Sequence, residues 1–144
     1  MQDAQAVVTA IYSAFGRGDV AAILEALDEE VGWESWVDNS AVQAGVPWLQ
    51  ERHGKTGAAE FFDVIASQMR IHDFKVVSLM AGDNQVAAEI EIEFTVPATG
   101  RRERDQELHL WTLNDAGKVV RFRHYVDTAK HIRAAARQPE RLDI

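Results

Sequence analysis

The run Val119–His131, VVRFRHYVDTAKH, brings His124, His131, Tyr125 and Asp127 together with two arginines and a lysine. Upstream, in ELHLWTL, His109 alternates with Glu107 and Trp111. Imidazole is the side chain whose ordinary pKa lies nearest neutrality. Burial lowers that pKa and a neighbouring carboxylate raises it, so two imidazoles in opposed settings can hold one proton donor and one acceptor. Such a pair suits removal of a proton beside a carbonyl with stabilisation of the enolate, or an acid–base cyclisation. The same residues also read as strand histidines bonded to backbone or water, on a sheet edge running into a helix capped by Asp127. Residue type alone leaves both readings open.

Composition narrows the chemistry. The chain has 144 residues, 47% hydrophobic and 26% charged, which is the make-up of one folded domain. We expect that domain over residues 1–137, with 138–144 as a tail. The absence of cysteine excludes disulfides, thiolate catalysis and zinc sites built on Cys. The formal net charge of -8 disfavours nucleic acid and anionic lipid as partners. Arg101, Arg102 and Arg104 cluster, but Glu103, Asp105 and Glu107 are interleaved with them, as in a solvated hairpin arm. No apolar run approaches membrane-spanning length, and MQDAQAVVTAIY does not read as a secretion signal. The expectation is a cytoplasmic protein with no cofactor and no metal. His53 and His72 have no ligand spacing.

The elements that must position these groups follow from periodicity. Val8, Ile11, Tyr12 and Phe15 form one helical stripe, stopped by Gly16 and Gly18. Asp19 caps a second helix with the stripe Val20, Ile23, Leu24 and Leu27. EEVGWESWV reads as a strand carrying Val31, Trp33 and Ser35 on one face. The stretch from Asp38 to Lys55, with Gly45, Pro47 and Gly54, is aperiodic and predicts a loop. Thr56 is the expected cap of a third helix with Ala58, Phe61, Phe62, Ile65 and Met69 inward. The period then changes to two. A strand is expected near residues 72–79, followed by QVAAEIEIEFTV, in which Val86, Ala88, Ile90, Ile92 and Phe94 alternate with glutamates and a threonine. RRERDQELHLWTL and KVVRFRHYV complete an antiparallel meander, and a helix follows Asp127. Helices first and a strand meander after argue an α+β domain. Glu89, Glu91 and Glu93 would lie outward, solvated or paired with arginines of the next strand.

This order, together with GRGDVAAILEALDEEVGWE, RHGKTGAAEFF and HLWTLNDAGKVVRFRHYVDTA, resembles the nuclear transport factor 2-like superfamily. Within it the chain is most similar to SnoaL-like proteins related to ketosteroid isomerase. The resemblance implies a cone, or cystatin-like α+β roll: a strongly curved antiparallel sheet wrapped around the N-terminal helices, with a mostly apolar pocket between. It also implies a homodimer formed through the sheet. Pattern alone would bury Leu108 and Leu110. The resemblance instead turns His109 inward, at the position where ketosteroid isomerases place an oxyanion-binding acid, and Phe122, His124 and Val126 with it. Glu107 shares the face of His109. The isomerase base falls at Ser35, and its oxyanion tyrosine near Ile11, one position from Tyr12. Polyketide cyclases use a late aspartate, which makes Asp127 an acid–base candidate beside its reading as a helix cap. The implied catalytic set is His109, His124 and Asp127. The implied ligand-binding set is Tyr12, Trp33, Ser35, Trp48, Glu107, Trp111 and Phe122. The tryptophans serve either as core or as walls for a small hydrophobic carbonyl compound, and Trp48, in the long loop, either lids the pocket or reaches a second subunit. The implied function is an isomerase, cyclase or hydratase; the alternative is a non-catalytic ligand-binding or scaffold protein.

Overall fold

Asp3 opens the chain's first helix by accepting a hydrogen bond from the Gln5 backbone N–H, a local cap that fixes where the apolar stripe begins. The computed structural model describes residues 3–34 and 38–136. The expectations for Ser35 and for a tail over 138–144 concern residues outside this range. Helix α1 spans Ala4–Gly16 and buries Val8, Ile11 and Ala14. Gly18 takes φ +70 to end the turn, and Asp19 caps α2, Val20–Glu25, through the Ala22 N–H. Leu27, expected in the stripe of that helix, instead begins strand β1, Leu27–Trp33.

The expected loop over 38–55 contains short structure. There is a turn of helix α3 at Ser40–Gln43, a 3₁₀ turn at Pro47–Leu49, and a two-residue strand β2 at Arg52–His53. Helix α4 spans Gly54–Gln68 and buries Ala58, Phe61 and Phe62. It starts two residues before the expected cap, Thr56. Gly54 makes this possible: its φ is +72, and a Cβ there would sit 3.2 Å from the Glu29 carbonyl oxygen, so only glycine fits the turn from strand to helix without strain.

Strands β3, Arg70–Gly82, β4, Gln85–Val96, β5, Arg101–Leu113, and β6, Val119–Tyr125, form the antiparallel meander, and α5, Thr128–Ala135, follows. Among the described residues the sheet order is β2-β1-β6-β5-β4-β3, and the sheet is curled without closing. One pairing departs from the antiparallel pattern. β1 runs parallel to β6, with Trp33 opposite Phe122 and an irregularity between Leu27 and Gly32. First and last strands are thus neighbours. Helices α1 and α4 pack their apolar stripes into the concave side. Val8, Ile23, Trp33, Phe61, Phe94, Trp111 and Phe122 are among the core residues, each worth about 1.5–3 kcal/mol if fully buried. On the convex side Glu93 pairs with Arg102 and Arg104. No helix among the described residues is long and apolar enough to cross a membrane.

Candidate active site

Strand β4 decides which face of β5 turns inward. Val86, Ala88, Ile90 and Ile92 are buried, and residues directly opposite on paired strands share a face. Their partners on β5 are Trp111, His109, Glu107 and Asp105. All four are buried, while Leu108 is exposed. The apolar alternation of β5 therefore yields to the stronger alternation of its neighbour. Register carries the assignment one strand further, because His109 lies opposite His124 on β6. The two rings stand edge to face with centroids 5.5 Å apart.

The buried polar groups form linked chains. The Trp111 Nε1–H donates to the Tyr12 hydroxyl at 3.0 Å, and that hydroxyl donates to His109 Nδ1 at 2.7 Å. His109 then carries its proton on Nε2 and donates it to Glu107 at 3.2 Å. Burial lowers the pKa of His109 despite the opposing pull of Glu107, which agrees with this neutral ring. Burial also drives the Tyr12 hydroxyl well above its ordinary value, keeping it a donor. For Glu107 burial acts upward, but hydrogen bonds from His109 and His131 overcome it and hold the carboxyl well below its usual range.

His131, on α5, touches both carboxylates of β5. Its Nε2 lies 2.8 Å from Asp105 and 3.2 Å from Glu107. Burial works to lower its pKa, but those two partners prevail and push it up to about 9. Trp48 pulls the other way. Its indole N–H points at His131 Nδ1 at 2.9 Å, and an indole only donates, so in this geometry Nδ1 offers a lone pair and the proton sits on Nε2. Protonating His131 means giving up the Trp48 hydrogen bond. The ligand atoms of Asp105, Glu107 and His131 lie within 4.8 Å of one another, a donor set with the make-up of a divalent-cation site. Trp48 opposes that use as well, since it keeps on Nε2 the proton that a metal would have to displace.

His124 is wired differently. Its Nδ1 and its backbone N–H both meet one carboxylate oxygen of Glu34. Glu34 directly follows β1, is fully buried, and has φ 60, the left-handed region that costs a non-glycine residue about 1–2 kcal/mol. That twist reverses the alternation of β1, so Trp33 and Glu34 are both buried. Burial works to lower His124, and the charge and hydrogen bond of Glu34 overcome it and raise the pKa. Among the described residues His124 Nε2 has no hydrogen-bond partner, whereas both ring nitrogens of His109 are engaged.

Except for Glu34 and Asp105, these groups line one cavity of about 70 Å³, together with rings of Phe61, Phe62, Phe74 and Phe122 and aliphatic residues of α1 and α4. Of the residues singled out in the sequence, Tyr12, Trp33, Trp48, Glu107, His109, Trp111, Phe122 and His124 lie on this lining. Asp127 does not. It is the exposed N-cap of α5, accepting from the Lys130 N–H at 3.4 Å, because the chain has already left β6 when it reaches this residue. Trp48 is neither a lid nor an outward arm; it is 1% exposed and tethered to α5. His53 and His72 lie at the surface, bonded to Glu30 and Thr95. Three buried polar residues, Glu34, Asp105 and His131, were not among the candidates. Alternation along β5 already placed Asp105 in phase with Glu107 and His109. The phase reversal at Glu34 has no sequence signal.

A family model described as SnoaL-like domain matches residues 8–122. Among solved structures, the chain is similar to an NTF2-like protein from Burkholderia thailandensis E264, at 24% identity and a TM-score of 0.80, covering 96% of this chain and all of that one. It is similar to an NTF2-like protein of unknown function from Burkholderia pseudomallei K96243, at 22% identity and a TM-score of 0.75, covering 93% and 98%. A candidate SnoaL-like polyketide cyclase from Mesorhizobium loti follows at 19% identity and a TM-score of 0.68, covering 86% and 99%. At such identities these likenesses speak to the fold. No curated protein matches the chain.

Proposed function

Because the chain belongs to the SnoaL-like domain family, with the NTF2-like fold, we propose that it is a cofactor-independent acid–base enzyme acting on a small, mostly apolar carbonyl compound. The reaction class is isomerisation, cyclisation or hydration through proton transfer beside the carbonyl. The observation that carries this reading is the His124–Glu34 pair: Nδ1 is held by a buried carboxylate, and the ring lines the cavity with no hydrogen-bond partner for Nε2 among the described residues. In the neutral ring Nε2 accepts the substrate's α-proton, and Glu34 steadies the imidazolium that results. His109, with both nitrogens engaged, positions Glu107 and Tyr12 and does not itself transfer the proton. Asp127 has no part in this scheme.

Butanone in D₂O tests the reading without a known substrate. The protein should accelerate exchange of the α-hydrogens, followed by proton NMR, and His124→Gln should remove about 10²–10⁴-fold of that acceleration. Exchange no faster than in buffer, or unchanged in the variant, refutes it. One observation favours the non-catalytic alternative: half of the imidazole pair is satisfied internally. A protein that binds butanone without exchanging its α-hydrogens would be such a binding module.

The reading extends to a homodimer through the convex face of the sheet. Met80 is 56% exposed there, Tyr125 37% and Leu108 36%, and Leu108 lies directly opposite Tyr125. Large apolar side chains grouped on one open face fit a self-complementary contact.

A further inference from the structure

Most polar hydrogens on the cavity lining are used within the protein. Trp111 donates to Tyr12, Tyr12 to His109, Trp48 to His131, and His109 and His131 to carboxylates. Trp33 breaks the pattern. It lines the cavity and is 1% exposed, and its indole Nε1–H has no hydrogen-bond partner among the described residues. A buried donor left unpaired is destabilising, and native proteins leave few of them. A phenylalanine would fill most of the same space without that cost.

Trp33 and His124 both line this cavity and share two ring neighbours, Phe61 and Phe122. Trp33 lies opposite Phe122 in the β1–β6 register, with ring centroids 4.3 Å apart, and Phe122 stacks on His124 at 5.6 Å. Phe61 touches both, at 5.3 Å from Trp33 and 6.1 Å from His124. One nitrogen is a fixed donor and the other a titratable acceptor, and hydrocarbon rings lie between and around them.

We propose that Trp33 Nε1–H is the ligand's oxygen-binding group, so that the cavity selects a neutral carbonyl compound whose oxygen meets Trp33 and whose α-carbon faces His124. An alkene of the same shape would leave the N–H unpaired. A carboxylate would face the ionised Glu107 on the lining, so an anionic ligand is disfavoured. This assignment deepens the acid–base reading and rests on it for the role of His124. When the α-proton moves to His124 Nε2, the C–H electron pair becomes the enolate double bond and the charge gathers on oxygen, where the indole N–H meets it. Reprotonation from the same imidazolium at carbon restores a neutral carbonyl product.

The test compares butanone with 2-methyl-1-butene, in which =CH₂ replaces the oxygen. The indole resonance of Trp33 is followed in ¹H–¹⁵N spectra and assigned through its contacts with the Phe61 and Phe122 rings. Butanone should move that indole proton downfield and the alkene should not. Trp33→Phe should weaken butanone about tenfold, the worth of one hydrogen bond, and leave the alkene's affinity unchanged or improved. The assignment is overturned if butanone binds without moving the Trp33 proton, if the variant weakens both probes equally, or if neither probe enters the cavity at millimolar concentration. The wild-type spectrum decides even if the variant fails to fold. A shift at Trp33 without α-hydrogen exchange would leave this assignment standing and remove the catalytic one.

Discussion

Replacing Trp48 by phenylalanine takes one indole N–H away from His131 while keeping an aromatic ring in the wall. In the folded protein that N–H bonds the neutral imidazole only, because the cation carries its own hydrogen on Nδ1. Asp105 and Glu107 favour the cation, against the effect of burial, and raise the pKa from 6.5 to about 9. At about 1.4 kcal/mol per pH unit this linkage is worth ~3 kcal/mol. The Trp48 hydrogen bond, about 1 kcal/mol, offsets part of it. A raised folded-state pKa gives stability that is complete below 6.5 and is lost as pH rises toward 9. Trp48→Phe should therefore raise the His131 midpoint by roughly 0.7 pH unit, the equivalent of ~1 kcal/mol. The variant should be more destabilised at pH 9.5, where the lost bond existed in most molecules, than at pH 6, where it did not, and the difference should be roughly 0.5 kcal/mol because the variant's His131 is still partly protonated there. Changes in ring volume act equally at both pH values and cancel. Imidazole NMR titration gives the midpoint, with the His131 signal assigned by its disappearance in His131→Gln, and urea denaturation at the two pH values gives the stabilities. A midpoint that falls or stays, or equal destabilisation at both pH values, refutes the opposition between Trp48 and the carboxylates.

Glu34→Gln removes the charge that raises His124 against the effect of burial, so the His124 midpoint should fall. The rise of α-hydrogen exchange with pH should move down with it, because the base becomes neutral earlier; a profile that does not move separates Glu34 from the chemistry. Asp127→Ala should cost about 1 kcal/mol in urea denaturation through loss of the α5 cap and leave butanone exchange at the wild-type rate; a large loss of rate would return Asp127 to the active site. Sedimentation equilibrium at micromolar concentration should give a dimer, and Leu108→Glu a monomer, since a charge on the open sheet face has no partner in a self-complementary contact. A wild-type monomer would remove the dimer.

The strands and the long helices were legible because each carries one strong period. Ala88 to Thr95 alternates without exception, and β4 then fixed the inward face of β5 through register, a pairwise fact that β5 alone does not contain. That is why Leu108 looked like core and His109 looked exposed until the resemblance turned the strand over. Asp105 was hidden by company: flanked by Arg101, Arg102 and Arg104, it read as part of a solvated arm, although it sits two residues before Glu107 on the same face. Glu34 was hidden by geometry. A single left-handed residue moved it into the interior beside Trp33, and side-chain alternation assumes an extended backbone at every position. The short pieces α3 and β2 lie below the length at which any period shows. The parallel contact between β1 and β6 joins segments too distant for local sequence to announce.

That last contact sets an order of events during synthesis. Glu34 and His124 are 90 residues apart, so a ribosome that has released Glu34 must add almost the whole remaining sheet before its imidazole partner emerges. Until then a carboxylate destined for the interior lacks its imidazole, and β1 has no neighbour on its β6 side. Emerging chains delayed before β6 would present an open strand and an unneutralised acid together, a state disposed to bind chaperones rather than to close. Assembly of the His124–Glu34 pair and completion of the sheet are one late step.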